Sequence, residues 1–157
     1  MREILFRGKC TDTGTWYTGY YIHLRKTTYC FTSDYDMHPD NDIHRIVFER
    51  MTDWGLPNQH LMADVIPETV GQFIGLTDKN GKKIFEGDIV NVLGNQDVDD
   101  WKNVNYNALI AFLDGGFCAI DGTKEEHAVR RYALARMDFE LEVIGNIHDN
   151  PELLEED

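Results

Sequence analysis

Turns built on glycine, proline and asparagine cut this chain into β-branched and aromatic runs spaced about ten residues apart, and that punctuation restricts the fold more than any other feature. The densest example is Val65–Val92, "VIPETVGQFIGLTDKNGKKIFEGDIVNV". Pro67 opens one helical turn, where its missing N–H costs nothing. "GQFIGL" reads as a strand, "TDKNGKK" as a hairpin connection, and "IFEGDIVNVLG" brings the chain back, with Val90 and Val92 facing opposite to Ile89 and Asn91.

The same grammar runs through the rest of the chain. Ile4 and Phe6 alternate with Leu5 and Arg7 before a turn holding Gly14, and "TWYTGYYIHLR" completes a hairpin. "TTYCFTS" is a third strand candidate, "NALIAFLDGGFCAID" predicts two strands joined at Asp114-Gly115-Gly116, and "FELEVIGNIH" predicts the last strand. Thr123 and Glu126 form a capping-box pattern, so a helix is expected to begin in "KEEHAVRRYALARM". In "DIHRIVFERMTDWG", Ile43, Ile46, Val47, Met51 and Trp54 fall at helical spacing, yet the composition suits a strand. The bracketing turns "HPDND" and "DWGLPN" favour the strand. "DYDMHPDNDIHR" reads as a polar loop and "DNPELLEED" as a frayed acidic tail. Short strands at this interval predict an antiparallel barrel or sandwich, not a parallel sheet.

Composition then limits the chemistry. At 157 residues the chain is one domain or two small lobes. Acidic residues outnumber basic ones 28 to 15, a net charge of −13 that repels phosphate backbones and disfavours a general nucleic-acid binder. Two local basic groups stand against that trend: Lys79, Lys82 and Lys83, and Arg130, Arg131 and Arg136. Cys10, Cys30 and Cys118 are far apart and lack C-x-x-C spacing, as expected of free thiols in a reducing compartment. The start "MREILFRGK" is too short and charged for a secretion signal, and no apolar run approaches the roughly 20 residues of a membrane helix. A cytoplasmic protein is expected.

Specific motifs fail on counting. A calcium loop places oxygen ligands at positions 1, 3 and 5 and glycine at 6. Counted from Asp78, Gly81 arrives at 4 and Lys82 at 5. Gly75, Gly81 and Gly87 are too evenly spaced for a phosphate loop, and β-formers follow the last of them. Turn chemistry explains more of these residues: Asp78 and Asp88 accept backbone N–H groups, while Asn80 and Gly81 tolerate positive φ.

Asp34, Asp36, His38, Asp40, Asp42 and His44 alternate, so an extended chain would line them along one face as a cation surface. Pro39 interrupts that strand and no third anchor is spaced to help, which favours a solvated loop. "QDVDDW" is read the same way. His23, His38, His44, His60, His127 and His148 show no H-E-x-x-H pattern, Ser33 is the sole serine, and a nucleophile pair would have to form in space between a cysteine and a histidine, such as Cys118 with His127. The tryptophans and the tyrosines Tyr17, Tyr20 and Tyr21 suit core and interface better than base stacking.

"ETVGQFIGLTDKNGKKIFEGDIV", "YALARMDFELEVIGNIHDNPELL" and the start "MREILFRGK" resemble the YopX family of phage and prophage proteins. The likeness is strongest over residues 67–92 and 142–154. It implies a mainly β protein whose C-terminal part is an SH3-like antiparallel barrel, packed with an N-terminal β region and one or two short helices. The expected division is an N-terminal β region at 1–66, a barrel domain at 67–150 and an acidic tail at 151–157. The family implies no catalytic, cofactor-binding or metal-binding residues. Phe73-Ile74 and Phe85 stand where relatives more often carry Tyr-Thr and Tyr.

The expected function is therefore a non-enzymatic module without cofactor, acting through a protein partner or as a homo-oligomer. A nucleic-acid-associated accessory role is the alternative, and no membrane association is expected. The candidate interaction loop is Asp78, Lys79, Asn80, Lys82 and Lys83, with Phe73 and Phe85 beside it.

Overall fold

Among the described residues every paired strand runs antiparallel to its neighbours. The structure is a computed structural model that describes residues 3–95, 102–113, 115–121, 131–133 and 139–155. It divides into two compact units, the first from Glu3 to Gln72 and the second from Phe73 onward.

In the first unit, β1 (Phe6–Lys9) and β2 (Trp16–Arg25) form the expected hairpin, with Gly14 at φ 67° in its turn. β3 (Asp42–Arg50) and β4 (Gln59–Asp64) extend the sheet in the order β4-β3-β2-β1. The ambiguous segment after Asp42 is thus a strand. β4 was not legible as a strand in advance. Beyond β1, Gly71 and Gln72 at the start of β5 (Gly71–Thr77) pair with Arg7 and Phe6. That pairing carries the first unit past the expected boundary at residue 66.

Side-chain alternation splits the sheet into two faces. The rows Tyr21–Ile46–Ala63 and Phe48–Leu61 lie on one, where Ile46 is fully buried and Tyr17 stacks on Phe48 at 4.6 Å. Tyr20, Val47 and Met62 form the matching row on the other face.

"TTYCFTS" is not a strand. Its backbone at Thr27 and Tyr29 bonds to side chains instead of a neighbouring strand. The buried Asn41 carboxamide accepts the N–H of Thr27 and donates to its carbonyl, both at 2.8 Å. The Tyr35 hydroxyl accepts the N–H of Tyr29 at 2.9 Å. A short helix, α1 (Thr32–Asp36), follows, and Pro39–Asn41 makes a single 3₁₀ turn within the expected polar loop. Pro67–Thr69 is the helical turn that its leading proline predicts.

The second unit contains β6 (Lys83–Phe85), β7 (Asp88–Asn95), β8 (Lys102–Leu113), β9 (Gly116–Asp121), β10 (Arg131–Ala133) and β11 (Phe139–Asn146). β7 to β11 form a sheet in the order β10-β9-β8-β7-β11, and β5 pairs with β6 as an antiparallel hairpin. Ile74 and Ile84 of the hairpin pack with Val90, Val92, Ala108, Ile110 and Ala119 of the sheet. Ile89, on the other side of β7 from Val90, is fully buried as well.

Among the described residues no pairing joins β10 to β11, so the sheet stays open and the expected SH3-like closed barrel is not formed. Closure would need those two edges to share a ladder. The helix expected after Thr123 falls mostly outside the described residues, and where the chain is described again, at Arg131–Ala133, it is β10. The tail is not frayed at Pro151–Leu154: a 3₁₀ turn there places the Leu153 carbonyl to accept Asn107 Nδ2–H at 2.9 Å.

Gly19 marks the tightest approach in the first unit's sheet. A Cβ at this position would lie 2.0 Å from the Val47 carbonyl oxygen, a backbone atom that cannot swing aside. Gly19→Ala is expected to destabilise the chain by about 3 kcal/mol, at the upper end for overpacking. Gly116→Ala, with nothing within 4 Å of the added methyl, should stay within about 0.5 kcal/mol. Urea unfolding followed by circular dichroism compares the two.

Candidate functional site

The connection between β5 and β6 is organised by one carboxylate. Asp78 Oδ1 accepts the N–H groups of Asn80 at 2.8 Å and Lys82 at 2.9 Å, and Oδ2 accepts that of Val143 in β11 at 3.1 Å. Gly81, at φ 80°, completes the turn. Burial pushes this carboxyl's pKa up, but the three N–H groups, with the Lys82 charge, hold it below the ordinary value. Asp88 does related work: it is fully buried, and its Oδ2 accepts Phe85 N–H at 2.8 Å where Gly87, at φ 82°, turns the chain into β7.

The other residues of the expected interaction loop divide sharply. Phe73 and Phe85 are buried against each other across the hairpin, with ring centroids 5.6 Å apart, so they are core residues and not a surface for a partner. Lys79 is ion-paired with Glu142, and Lys83 lies 5.2 Å over the Phe73 ring. Asn80 and Lys82 are exposed. The side chains of Arg130, Arg131 and Arg136 lie outside the described residues. Cys118 is buried, its Sγ–H donates to the Ala111 carbonyl, and burial pushes its pKa up, which keeps the thiol protonated. His127 lies outside the described residues.

The first unit assembles two features that spacing along the chain concealed. The register of β2 against β3 sets His23 directly opposite His44 and Arg25 opposite Asp42. The two imidazoles stack with centroids 4.4 Å apart, and His23 Nε2 lies 3.4 Å from Asp42 Oδ2. A ligand atom from each of His23, Asp42 and His44 lies within 4.8 Å of the others. Tyr21 OH and His44 Nδ1 are hydrogen-bonded at 2.5 Å, and burial, followed by the Asp42 charge, pushes the Tyr21 phenol's pKa up.

Of the alternating run from Asp34 to His44, therefore, just Asp42 and His44 converge, and their third partner comes from another strand. Asp40 pairs with Lys26 and His38 stacks on Tyr29. A histidine in each of two expected strands was the available signal, but without the pairing and its register it could not be read.

The second feature is on the opposite face. Tyr20 is 62% exposed and Met62 63% exposed, and Leu24 on the same face is exposed as well. The β3–β4 connection carries Trp54 at 93% exposure. β4 ends the strand order, and its outer side meets another segment at Asp64, whose carbonyl accepts Thr11 N–H at 3.0 Å. Ladder alternation then places outward main-chain groups on Met62 and His60. An open depression of about 530 Å³ lies by this edge, lined by Tyr17, Phe48 and Leu61, with the Arg45–Asp64 ion pair beside them.

A family model described as YopX protein matches residues 5–155. Among solved structures, the crystal structure of protein EF1440 from Enterococcus faecalis is similar at 21% identity. The match covers 98% of this chain and 99% of that one, with a TM-score of 0.47. No curated protein matches the chain. Among the described residues, no helix is long and apolar enough to cross a membrane.

Asp78→Asn replaces an oxygen that accepts Val143 N–H or the Asn80 and Lys82 N–H pair by an amide donor. The expected loss at neutral pH is about 1–3 kcal/mol, the cost of unsatisfied buried groups. Because the folded carboxyl is the stronger acid, its contribution is complete above the unfolded value of about 3.9 and fades as pH falls below it. The gap between the native chain and the variant should therefore narrow on acidification, which urea midpoints measured between neutral pH and pH ~3 would show.

Proposed function

Since the chain belongs to the YopX family, we propose that it is a phage- or prophage-encoded, non-enzymatic interaction module that works in the bacterial cytoplasm. In this reading a protein partner docks on the exposed face and outer edge of β2, β3 and β4. The observation that carries it is the row Tyr20–Val47–Met62, which runs across three strands with its two outer members about two-thirds exposed. Contiguous apolar surface of this kind costs solubility in a free protein and marks interaction sites. β4 adds outward main-chain groups that can accept an incoming strand. Trp54 at the end of the same strand pair supplies an aromatic anchor of the type that dominates binding energy.

The second unit serves as scaffold in this reading. Its buried acids hold turns, and of its expected loop just Asn80 and Lys82 face solvent without a described ion pair or ring contact.

The test is affinity capture with the full chain from cells carrying the induced phage or prophage. The native chain is compared with a Tyr20→Glu/Met62→Glu double variant whose circular dichroism is unchanged. A protein enriched by the native chain and reduced by about tenfold or more in the variant is expected, since losing two interface anchors costs ~2 kcal/mol or more. Lys82→Ala should capture the same protein undiminished. Equal capture by the double variant, or salt-sensitive binding of duplex DNA with no protein captured, overturns the reading.

A further inference from the structure

We propose that His23, Asp42 and His44 form a binding site for a divalent transition-metal ion, with Zn²⁺ the ion the donor set fits best. Two borderline imidazole nitrogens with one carboxylate oxygen suit zinc and its neighbours, and the nitrogens make the set poor for calcium or magnesium, which prefer all-oxygen shells. Three protein ligands leave a fourth tetrahedral position open to water or to a group from another molecule.

The geometry is close to what such an ion needs. Ligands each about 2.05 Å from a tetrahedral ion lie about 3.3 Å apart. His23 Nε2 and Asp42 Oδ2 are already at 3.4 Å, and all three ligand atoms fall within 4.8 Å of one another, so small rotamer adjustments close the set. The positions are dictated by backbone pairing. His23 and His44 are cross-strand partners, and Asp42 is two residues before His44 on the same face. No loop has to be ordered to bring them together.

The outer shell has the same character. The Tyr21 hydroxyl and His44 Nδ1 share a hydrogen bond that holds the ring in orientation, and in the tautomer that donates Nδ1–H the Nε2 lone pair is kept for the ion. Tyr21 is in turn fixed against Phe6, at 5.5 Å between centroids. Arg25 is the competing cation, at 3.9 Å from Asp42. It addresses Oδ1, however, while Oδ2 faces His23, and its guanidinium lies 4.4 Å over the Tyr35 ring. The net charge of −13 favours cation approach. The site lies on the face of the sheet opposite Tyr20 and Met62, so it stands or falls independently of the partner surface proposed above.

The test is zinc titration of the full chain, stripped with a chelator, by isothermal calorimetry and by competition with a chromogenic chelator. One equivalent of Zn²⁺ is expected to bind. His23→Ala and Asp42→Asn should each weaken binding by more than about tenfold, and Tyr21→Phe by about tenfold, as loss of an outer-shell partner does. His60→Ala, which removes an exposed histidine beside Glu49 and away from the site, should leave affinity unchanged.

Excess Ca²⁺ should not displace the zinc. NMR supplies a readout independent of the variants: the ring signals of His23 and His44 should shift together at one equivalent, with those of His60 unmoved. Absence of stoichiometric binding overturns the proposal. So do affinity undiminished in both His23→Ala and Asp42→Asn, as a histidine or cysteine elsewhere would give, and zinc that moves His60 instead.

Discussion

The register of β2 against β3 is the constraint on which the first unit depends. Tyr21 pairs with Ile46 and His23 with His44, and side-chain direction has a period of two. A slip by one residue would send Ile46 to solvent and bring Val47 inside. It would also separate His23 from Asp42 and His44 and dismantle the Tyr20–Val47–Met62 row. The partners that hold the register are large and apolar on the covered face: Ile46 has no exposed surface, Tyr17 stacks on Phe48, and Tyr21 packs on Phe6. Gly19 adds a steric lock, because the Val47 carbonyl occupies the space a side chain would need.

The second unit uses carboxylates where the first uses register. Asp78 ties its own turn to β11, a strand more than sixty residues later, through one side chain with three accepted hydrogen bonds. Asp88 satisfies Phe85 N–H as the chain enters β7. Buried acids are tolerated there because both oxygens of Asp78 and Oδ2 of Asp88 accept backbone N–H groups, which replace water that burial removes. The hairpin that Asp78 closes can then lay Ile74 and Ile84 over the sheet, and those residues make the core. Asp78 is no ligand cradle: its partners are backbone N–H groups of its own turn and of β11.

Turn chemistry was legible in the sequence because it is local. Pro67, Gly14, Gly81 and Gly115 sit where their backbone preferences place them, and so do the strands they separate. Interactions between distant residues were not legible. "TTYCFTS" has strand composition, but Asn41 and Tyr35 satisfy its backbone and no strand is needed there. β4 was hidden because "QHLMAD" is short and only half apolar, and it earns its place through Leu61 and Ala63 against β3. Phe73 and Phe85 looked available to a partner because the sequence shows aromatic residues beside a loop and not which way they point. His23 could join Asp42 and His44 only once the pairing was known.

One sheet therefore presents two unlike faces whose positions come from the same ladder. An ion bridging His23 and His44 would clamp β2 to β3 at the row next to Tyr21–Ile46. Such an ion binds the paired register and not the slipped one, so it stabilises the register by mass action. The same register sets Tyr20 beside Val47 on the far side. By linkage, a partner that requires that apolar row and an ion that requires the histidine pair must each favour the other's binding, to the extent that the register is not already saturated. With Ile46 buried and Gly19 locking the strands, most of the register energy is already in the apo fold, so the coupling between the two faces is small. Each face can thus be changed without losing the other.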